Sequence, residues 1–218
     1  MPDPSLDSFF FWGSGSEAVE GALKMARIYT GRTAIVTMQG LPRFFFLLSE
    51  PPTDQPVGGY HGRTFGAMAV TRSKTIYSEG SGPHMVRQVS MADSALLIAL
   101  LKPSVYVTPF PFWHQLSLPP SATEEEVTKK ALYHLDLLFS QQIHPKEVAA
   151  ILIEPVLGEG GYVPAPPSYL RSLREICDKH GILLILDEVQ SGFGRTGKYF
   201  ASEYSGVRAD IMTIAKVS

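Results

Sequence analysis

Three short apolar runs punctuate the second half of the chain: Val148–Ile153, Ile182–Leu186 and Ile211–Ala215. Each is too short for a helix and is bounded by polar residues or glycine, the pattern of a parallel strand buried on both faces. Each also hands a charged side chain to its carboxyl end, in order Glu154, Asp187 and Lys216. Ligands of open α/β sheets bind outside the carboxyl ends of the strands, so the three ends predict one site. Between the first two runs lie a turn-rich stretch, Glu154-Pro-Val-Leu-Gly-Glu-Gly-Gly161, and a helical pattern from about Pro167. That helix points Leu170, Leu173, Ile176 and Cys177 inward and stops at Gly181. Strand, helix and strand within ~40 residues make a βαβ unit with a right-handed crossover.

Upstream, Thr123 and Glu126 have capping-box spacing, and Val127, Ala131, Leu135, Leu138 and Phe139 form the apolar stripe of a surface helix. Nearer the start, Phe9–Trp12 is strand-like and leads into Gly13-Ser14-Gly15-Ser16-Glu17. Ser14 and Glu17 repeat the capping-box spacing; Ala18, Ala22, Met25, Ala26 and Tyr29 follow at helical intervals, Glu20 and Lys24 stand at i,i+4, and Gly31 ends the segment. A glycine-rich turn opening a helix leaves N–H groups at the positive end of the helix dipole, which suits a phosphate; a well-capped helix with no ligand has the same pattern. A strand, Ala34–Met38, follows. Leu41–Val57 and Arg87–Lys102 keep neither period 2 nor period 3.6, and between them a turn-rich loop, Gly58–Thr64, presents Tyr60 and His61. No repeat and no interdomain linker is visible.

Composition narrows the partners. The 218 residues carry a formal net charge of −2 with mixed signs, which leaves no basic face for nucleic acid. No apolar run approaches the ~18 residues of a membrane span, so small molecules or other subunits are the expected partners. The lone cysteine, Cys177, has no internal partner for a disulfide. It reads as an inert packing residue in a reducing compartment, the cytoplasm or the mitochondrial matrix. No targeting peptide is visible at Met1-Pro-Asp-Pro, and the amino terminus is expected to be incomplete.

Two cofactor chemistries compete for these residues. Gly192-Phe-Gly-Arg-Thr-Gly197 matches a dinucleotide fingerprint as a string, but Glu188–Ser191 intervene after the strand. Gly13–Ala18 fits better, yet the next strand leads to Gln39 where a ribose-binding acid is required. A dinucleotide-binding oxidoreductase is therefore the minor alternative. The other candidate is an aldehyde cofactor carrying a phosphate. A lysine condenses with the aldehyde, an aspartate keeps a ring nitrogen protonated and a helix N-terminus takes the phosphate; these are the requirements of pyridoxal 5'-phosphate. An anion beside the ring nitrogen favours the pyridinium form, and that form is the better electron sink. No metal site is expected.

Five stretches, in order, resemble the class III pyridoxal-phosphate aminotransferases, the family of 4-aminobutyrate, ornithine and acetylornithine aminotransferases. They are Ser14-Gly-Ser-Glu-Ala-Val-Glu20, Gly59-Tyr-His-Gly-Arg-Thr-Phe-Gly-Ala-Met68, Glu154-Pro-Val-Leu-Gly-Glu-Gly-Gly161, Leu186-Asp-Glu-Val-Gln-Ser-Gly-Phe-Gly-Arg-Thr-Gly197 and Asp210-Ile-Met-Thr-Ile-Ala-Lys216. The resemblance implies an α/β fold, a mostly parallel sheet with flanking helices, forming part of the large domain of a fold type I transferase. It implies that Gly15 and Ser16 hold the cofactor phosphate, that Tyr60 stacks on the ring with His61 beside it, and that Asp187 pairs with the ring nitrogen. By the same likeness Gln190 approaches the ring hydroxyl, Lys216 is the Schiff-base lysine, Glu154 supports the aspartate side and Glu159 lies near the substrate. The spacing 216 − 187 = 29 also resembles the family's.

The implied reaction is transfer of an amino group from an amine or ω-amino acid, 4-aminobutyrate first, to a 2-oxo acid by a homodimer. The departures are Gly13 where the family often has asparagine, the insertions 41–57 and 87–102, and Val217-Ser218 in place of the usual glycine. Residues 1–218 then read as a partial large domain without the small C-terminal domain, unstable when isolated. The irregular segments and the terminus read as translated non-coding sequence. A truncated, non-catalytic relative that only associates with a complete subunit is the alternative reading.

Overall fold

Five parallel strands form the centre of the computed structural model, which describes residues 4–39, 58–71 and 105–216. In chain order the elements are α1 (Gly15–Thr30), β1 (Ala34–Gln39), α2 (Phe65–Val70), β2 (Val105–Pro109), α3 (Glu124–Gln141), β3 (Val148–Ile153), β4 (Val156–Leu157), β5 (Val163–Pro164), α4 (Pro167–His180), β6 (Leu183–Asp187) and β7 (Ile211–Thr213). The strands β4 and β5 form a small antiparallel hairpin apart from the main sheet. The path runs from β1 to β2 on one side, then crosses to β3 on the other side of β1 and continues outward through β6 and β7. That reversal puts a topological switch point between β1 and β3, where such sheets bind ligands.

The central strand explains the layering. Every residue of β3 is buried, as a strand covered on both faces requires. Ile151 and Ile153 join Leu135, Leu138, Leu170 and Leu173 of α3 and α4 in one core. Ala150 and Leu152 face the other way, onto Val19, Leu23 and Ala26 of α1. The chain is thus a three-layer α/β structure with helices on both faces, as the alternation of strand and helix patterns predicts.

Local signals set the helix ends. Thr123 and Glu126 complete a reciprocal capping box on α3, while Pro167 opens α4 and Gly181, at φ 62°, closes it in the left-handed region. At α1 only half of the expected box forms: Ser14 Oγ accepts from Glu17 N–H, but the Glu17 carboxylate takes the Ser14 hydroxyl. The buried stripe of α1 is Val19, Gly21, Ala22, Leu23 and Ala26, whereas Met25 and Tyr29 are exposed. The stripe is rotated from the expected one because the sheet lies under Val19 and Leu23. Glu20 does not reach for Lys24; it accepts from Gly66 N–H at 3.2 Å and ties α1 to α2.

Other expectations need correction. Phe9–Trp12 is not a strand, and its four aromatic side chains are exposed, with Phe10 stacked on Trp12. The last strand stops at Thr213, so Lys216 stands three residues beyond it. The short helix α2 and the hairpin β4–β5 carry too few residues for either hydrophobic period to register. The segments 41–57 and 87–102 and the ending Val217-Ser218 lie outside the described residues. Cys177 is fully buried, and burial pushes its thiol up to about 12, so it packs as a neutral side chain.

Leu173 is fully enclosed between α4 and the sheet. Leu173→Ala is expected to lower unfolding free energy by about 2–5 kcal/mol, because the vacated volume cannot fully collapse. Glu175→Ala, on the exposed face of the same helix, is expected to stay within about 0.5 kcal/mol. Denaturant titration of the two variants measures the contrast, and equal effects would contradict this packing.

Candidate active site

The ends of β6 and β7 and the loop of His61 converge on one buried carboxylate. Asp187, the last residue of β6, is 2% exposed. Its Oδ1 accepts from the Thr213 hydroxyl at 2.9 Å, at the end of β7, and from Val189 N–H at 3.2 Å. Its Oδ2 lies 2.7 Å from His61 Nδ1, in the loop that follows β1. His61 is held in turn by its own N–H, which donates to Thr71 Oγ1 at 3.0 Å, while the Thr71 hydroxyl returns to the carbonyls of Gly62 and Ala67. Thr37 of β1 donates to Val70 O and stands 3.5 Å from His61 Nε2. A carboxylate offers about four lone-pair positions. Among the described residues, protein donors take three of those on Asp187, which leaves one for a further N–H.

Glu154 follows β3 and is also buried. Its oxygens accept from Tyr60 N–H at 3.0 Å and Gly158 N–H at 3.2 Å. Burial pushes its carboxyl up to about 7; His61 and the two N–H groups oppose that rise and Asp187 adds to it. Glu154 therefore fixes the backbone of the loop carrying Tyr60 and sits beside Asp187 with a proton available near neutrality.

The open side of this cluster is a small pocket lined by Tyr60, Glu154, Glu159, Asp187, Val189, Gln190 and Lys216. Lys216 is exposed, has left-handed backbone at φ 56°, and donates from Nζ to the Gln190 side-chain oxygen. The N-terminus of α1 abuts the same place. A Cβ on Gly15 would stand 2.8 Å from Val189 Cγ1 and 3.3 Å from Ala215 Cβ, so only glycine lets the helix end approach this closely. Ser16 Oγ accepts from Arg63 N–H at 3.2 Å, which leaves its own proton free of that bond. Gly62, at φ 125°, lies against the Ser16 side chain, so the loop of Tyr60 and His61 is docked on the helix end.

The residues singled out from sequence thus come together, with one change of place. Tyr60, Glu154, Glu159, Asp187, Gln190 and Lys216 line the pocket, and Gly15 and Ser16 stand at its Val189 side. His61 does not line it, and instead backs Asp187 from behind. Sequence reasoning missed Val189, Thr213 and Glu188. Position alone was their signal: Val189 and Glu188 lie between Asp187 and Gln190, and Thr213 lies three residues before Lys216. Gly192–Gly197 lies in consecutive turns and opens no helix, so it is not a dinucleotide fingerprint. Among the described residues no cluster of His, Cys, Asp or Glu is arranged to hold a metal ion, and no helix is long and apolar enough to cross a membrane.

The family described as aminotransferase class-III matches residues 2–218. The chain is 36% identical over 203 residues to 5-aminovalerate aminotransferase of Pseudomonas putida, covering 93% of this chain and 37% of that protein. It is also 36% identical over 203 residues to 4-aminobutyrate aminotransferase of Escherichia coli, with the same coverage of 93% and 37%. Among solved structures, an (S)-enantioselective omega-transaminase of Thermomicrobium roseum superposes with TM-score 0.71 at 29% identity, over 94% of this chain and 38% of that one. Taurine:2-oxoglutarate aminotransferase of Bifidobacterium kashiwanohense, solved with pyridoxal phosphate and glutamate, gives TM-score 0.71 at 30% identity over 95% and 38%. The chain therefore spans about 37% of the length of the curated relatives named.

The raised carboxyl of Glu154 makes stability depend on pH. Below its usual value of 4.5 it is protonated in both folded and unfolded chains and adds no dependence. Above that the unfolded chain ionises first, so the folded state loses stability, and the loss is complete once pH passes about 7. Glu154→Gln cannot ionise and is expected to gain on the wild type between about pH 5 and pH 8, by roughly 3 kcal/mol. Denaturant titrations at both pH values measure the gain; a difference that stays constant with pH would contradict the assignment.

Proposed function

The chain belongs to the class III aminotransferases, and from that premise we propose that the protein carrying it is a pyridoxal-phosphate-dependent transaminase. It moves an amino group from an amine or ω-amino acid, 4-aminobutyrate first among them, to a 2-oxo acid. One observation carries this reading above the others: a buried aspartate with three protein donors and one lone-pair position to spare faces a pocket whose rim carries a lysine.

The residues present fit that cofactor. Asp187 would keep a pyridine nitrogen protonated, and His61 and Thr213 hold its carboxylate in place from two neighbouring elements. Gly15 and Ser16 would take the phosphate with the N–H groups and dipole of α1, and the close approach of Gly15 to Val189 and Ala215 brings that helix end beside the lysine segment. Tyr60 would stack on the ring, Gln190 would meet its hydroxyl, and Glu154 would hold the Tyr60 loop against it. Bound there, pyridoxal phosphate would supply an electron sink for the negative charge that develops when the substrate carbon loses its proton. Lys216, whose amine lines the pocket, would hold the cofactor through its aldehyde and would serve as the general base for the proton of the substrate carbon. Glu159, exposed and lining the same pocket, would lie near the substrate.

By this reading residues 1–218 are part of a cofactor-binding large domain, and the assembled enzyme is a homodimer. A reducing compartment, the cytoplasm or the mitochondrial matrix, accords with the buried free thiol of Cys177.

In the full-length protein, Lys216→Ala is expected to remove the absorbance band above ~400 nm given by a lysine-bonded cofactor. Asp187→Asn is expected to lower kcat with 4-aminobutyrate and 2-oxoglutarate by about 10²–10³, since it removes the charge that stabilises the ring nitrogen. Spectrophotometric titration with pyridoxal phosphate and steady-state kinetics measure both. An unchanged band in the lysine variant would refute the assignment, and a wild type that uses other donors in preference to 4-aminobutyrate would replace the substrate.

A further inference from the structure

Glu188 is fully buried beside Asp187, yet no step above uses it. Among the described residues its carboxylate meets no cation. One oxygen accepts from Ser202 N–H at 2.7 Å; the other accepts from Ala201 N–H at 3.1 Å and from the Ser191 hydroxyl. Ala201 and Ser202 open a short 3₁₀ turn, whose first N–H groups have no partner within the turn. Among the described residues the carboxyl of Glu188 is thus met by neutral donors rather than by a counter-ion.

The backbone of Glu188 is tied as firmly as its side chain. Its N–H donates to Thr213 O at 2.9 Å and its carbonyl accepts from Gly192 N–H at 2.8 Å. A Cβ on Gly192 would stand 2.8 Å from that carbonyl, so the turn is as tight as glycine allows. Residues 188 and 191 are therefore clamped together, and the two residues between them have no freedom to turn away. Those two are Val189, which packs on Gly15, and Gln190, whose stem lies against Gly158 and whose amide oxygen meets Lys216.

We propose that Glu188 is a positioning residue that aims Gln190 and Val189 into the pocket by closing the turn 188–192 through Ser191 and the 3₁₀ turn at Ala201. Its role rests on the cofactor reading above and is exerted through Gln190, not by contact with the cofactor. A carboxylate buried without a counter-ion is unfavourable unless its donors are fixed in place, and here the donors are Ser191, next to the pocket residue Gln190, and the first N–H groups of the turn at Ala201.

The test is a double-mutant cycle in the full-length protein, read as the dissociation constant of pyridoxal phosphate by fluorescence titration and as the lysine–cofactor absorbance. Glu188→Gln and Gln190→Ala are each expected to weaken cofactor binding about tenfold, and the double variant no more than either alone, since one acts through the other. A merely structural Glu188 would instead lower the melting temperature and weaken binding by a factor that multiplies with that of Gln190→Ala, and that result would overturn the proposal. Wild-type affinity in Glu188→Gln would overturn it as well. If Glu188→Gln does not fold, Ser191→Ala decides: a severalfold weakening that disappears in the Gln190→Ala background supports the proposal, and unchanged affinity rejects it. Failure of the wild-type protein to form the lysine–cofactor band would count against the cofactor reading, which the same titration detects before any variant is made.

Discussion

The contact between Asp187 and His61 is the interaction on which the rest of the site depends. It joins the end of β6 to the loop after β1, two strands that are not neighbours in the sheet, since β3 lies between them. A buried carboxylate stays ionised only when its lone pairs are met by donors. The loop of His61, the end of β7 and the turn after β6 each supply one. The need to satisfy that single group thus fixes the relative positions of most of the segments that line the pocket.

Three acidic side chains stand at the ends of adjacent strands, Glu154, Asp187 and Glu188, and each is accommodated differently. Glu154 has two backbone donors and a carboxyl shifted toward protonation, so its charge is avoidable near neutrality. Asp187 has an imidazole partner as well as neutral donors, and Glu188 has neutral donors alone. Like charges this close would repel if all were bare. Asp187 faces the pocket, while the other two carboxyls are tied to loop backbone. The helices of both layers supply the dry surroundings in which such differences matter, because electrostatic effects are larger away from water.

The two glycines at the helix end show the same economy of space. Gly15 brings α1 against Val189 and Ala215, and Gly62 lets the His61 loop lie on Ser16. A methyl group at either position would separate the helix terminus from the carboxylate cluster, and with it the start of α1 from the lysine segment.

Much of this was legible in the chain itself. Runs such as Val148–Ile153, with every residue apolar, can only be strands buried on both faces, and their polar ends must then lie at one edge of a parallel sheet. The capped stripe from Thr123 and the Pro167–Gly181 pattern marked two helices for the same local reasons. Motif likeness named Gly15, Ser16, Tyr60, Glu154, Gln190, Asp187 and Lys216, which do converge. Tertiary packing alone decided which face of α1 is buried, that Glu20 serves α2 rather than Lys24, and that His61 stands behind Asp187 instead of in the pocket. It also decided that Thr213, Val189 and Glu188 belong to the site. Periodicity reports which side of an element avoids water, and that is a property of neighbouring residues. Which buried donor meets which buried acceptor depends on how separate elements are stacked, and no local pattern encodes that.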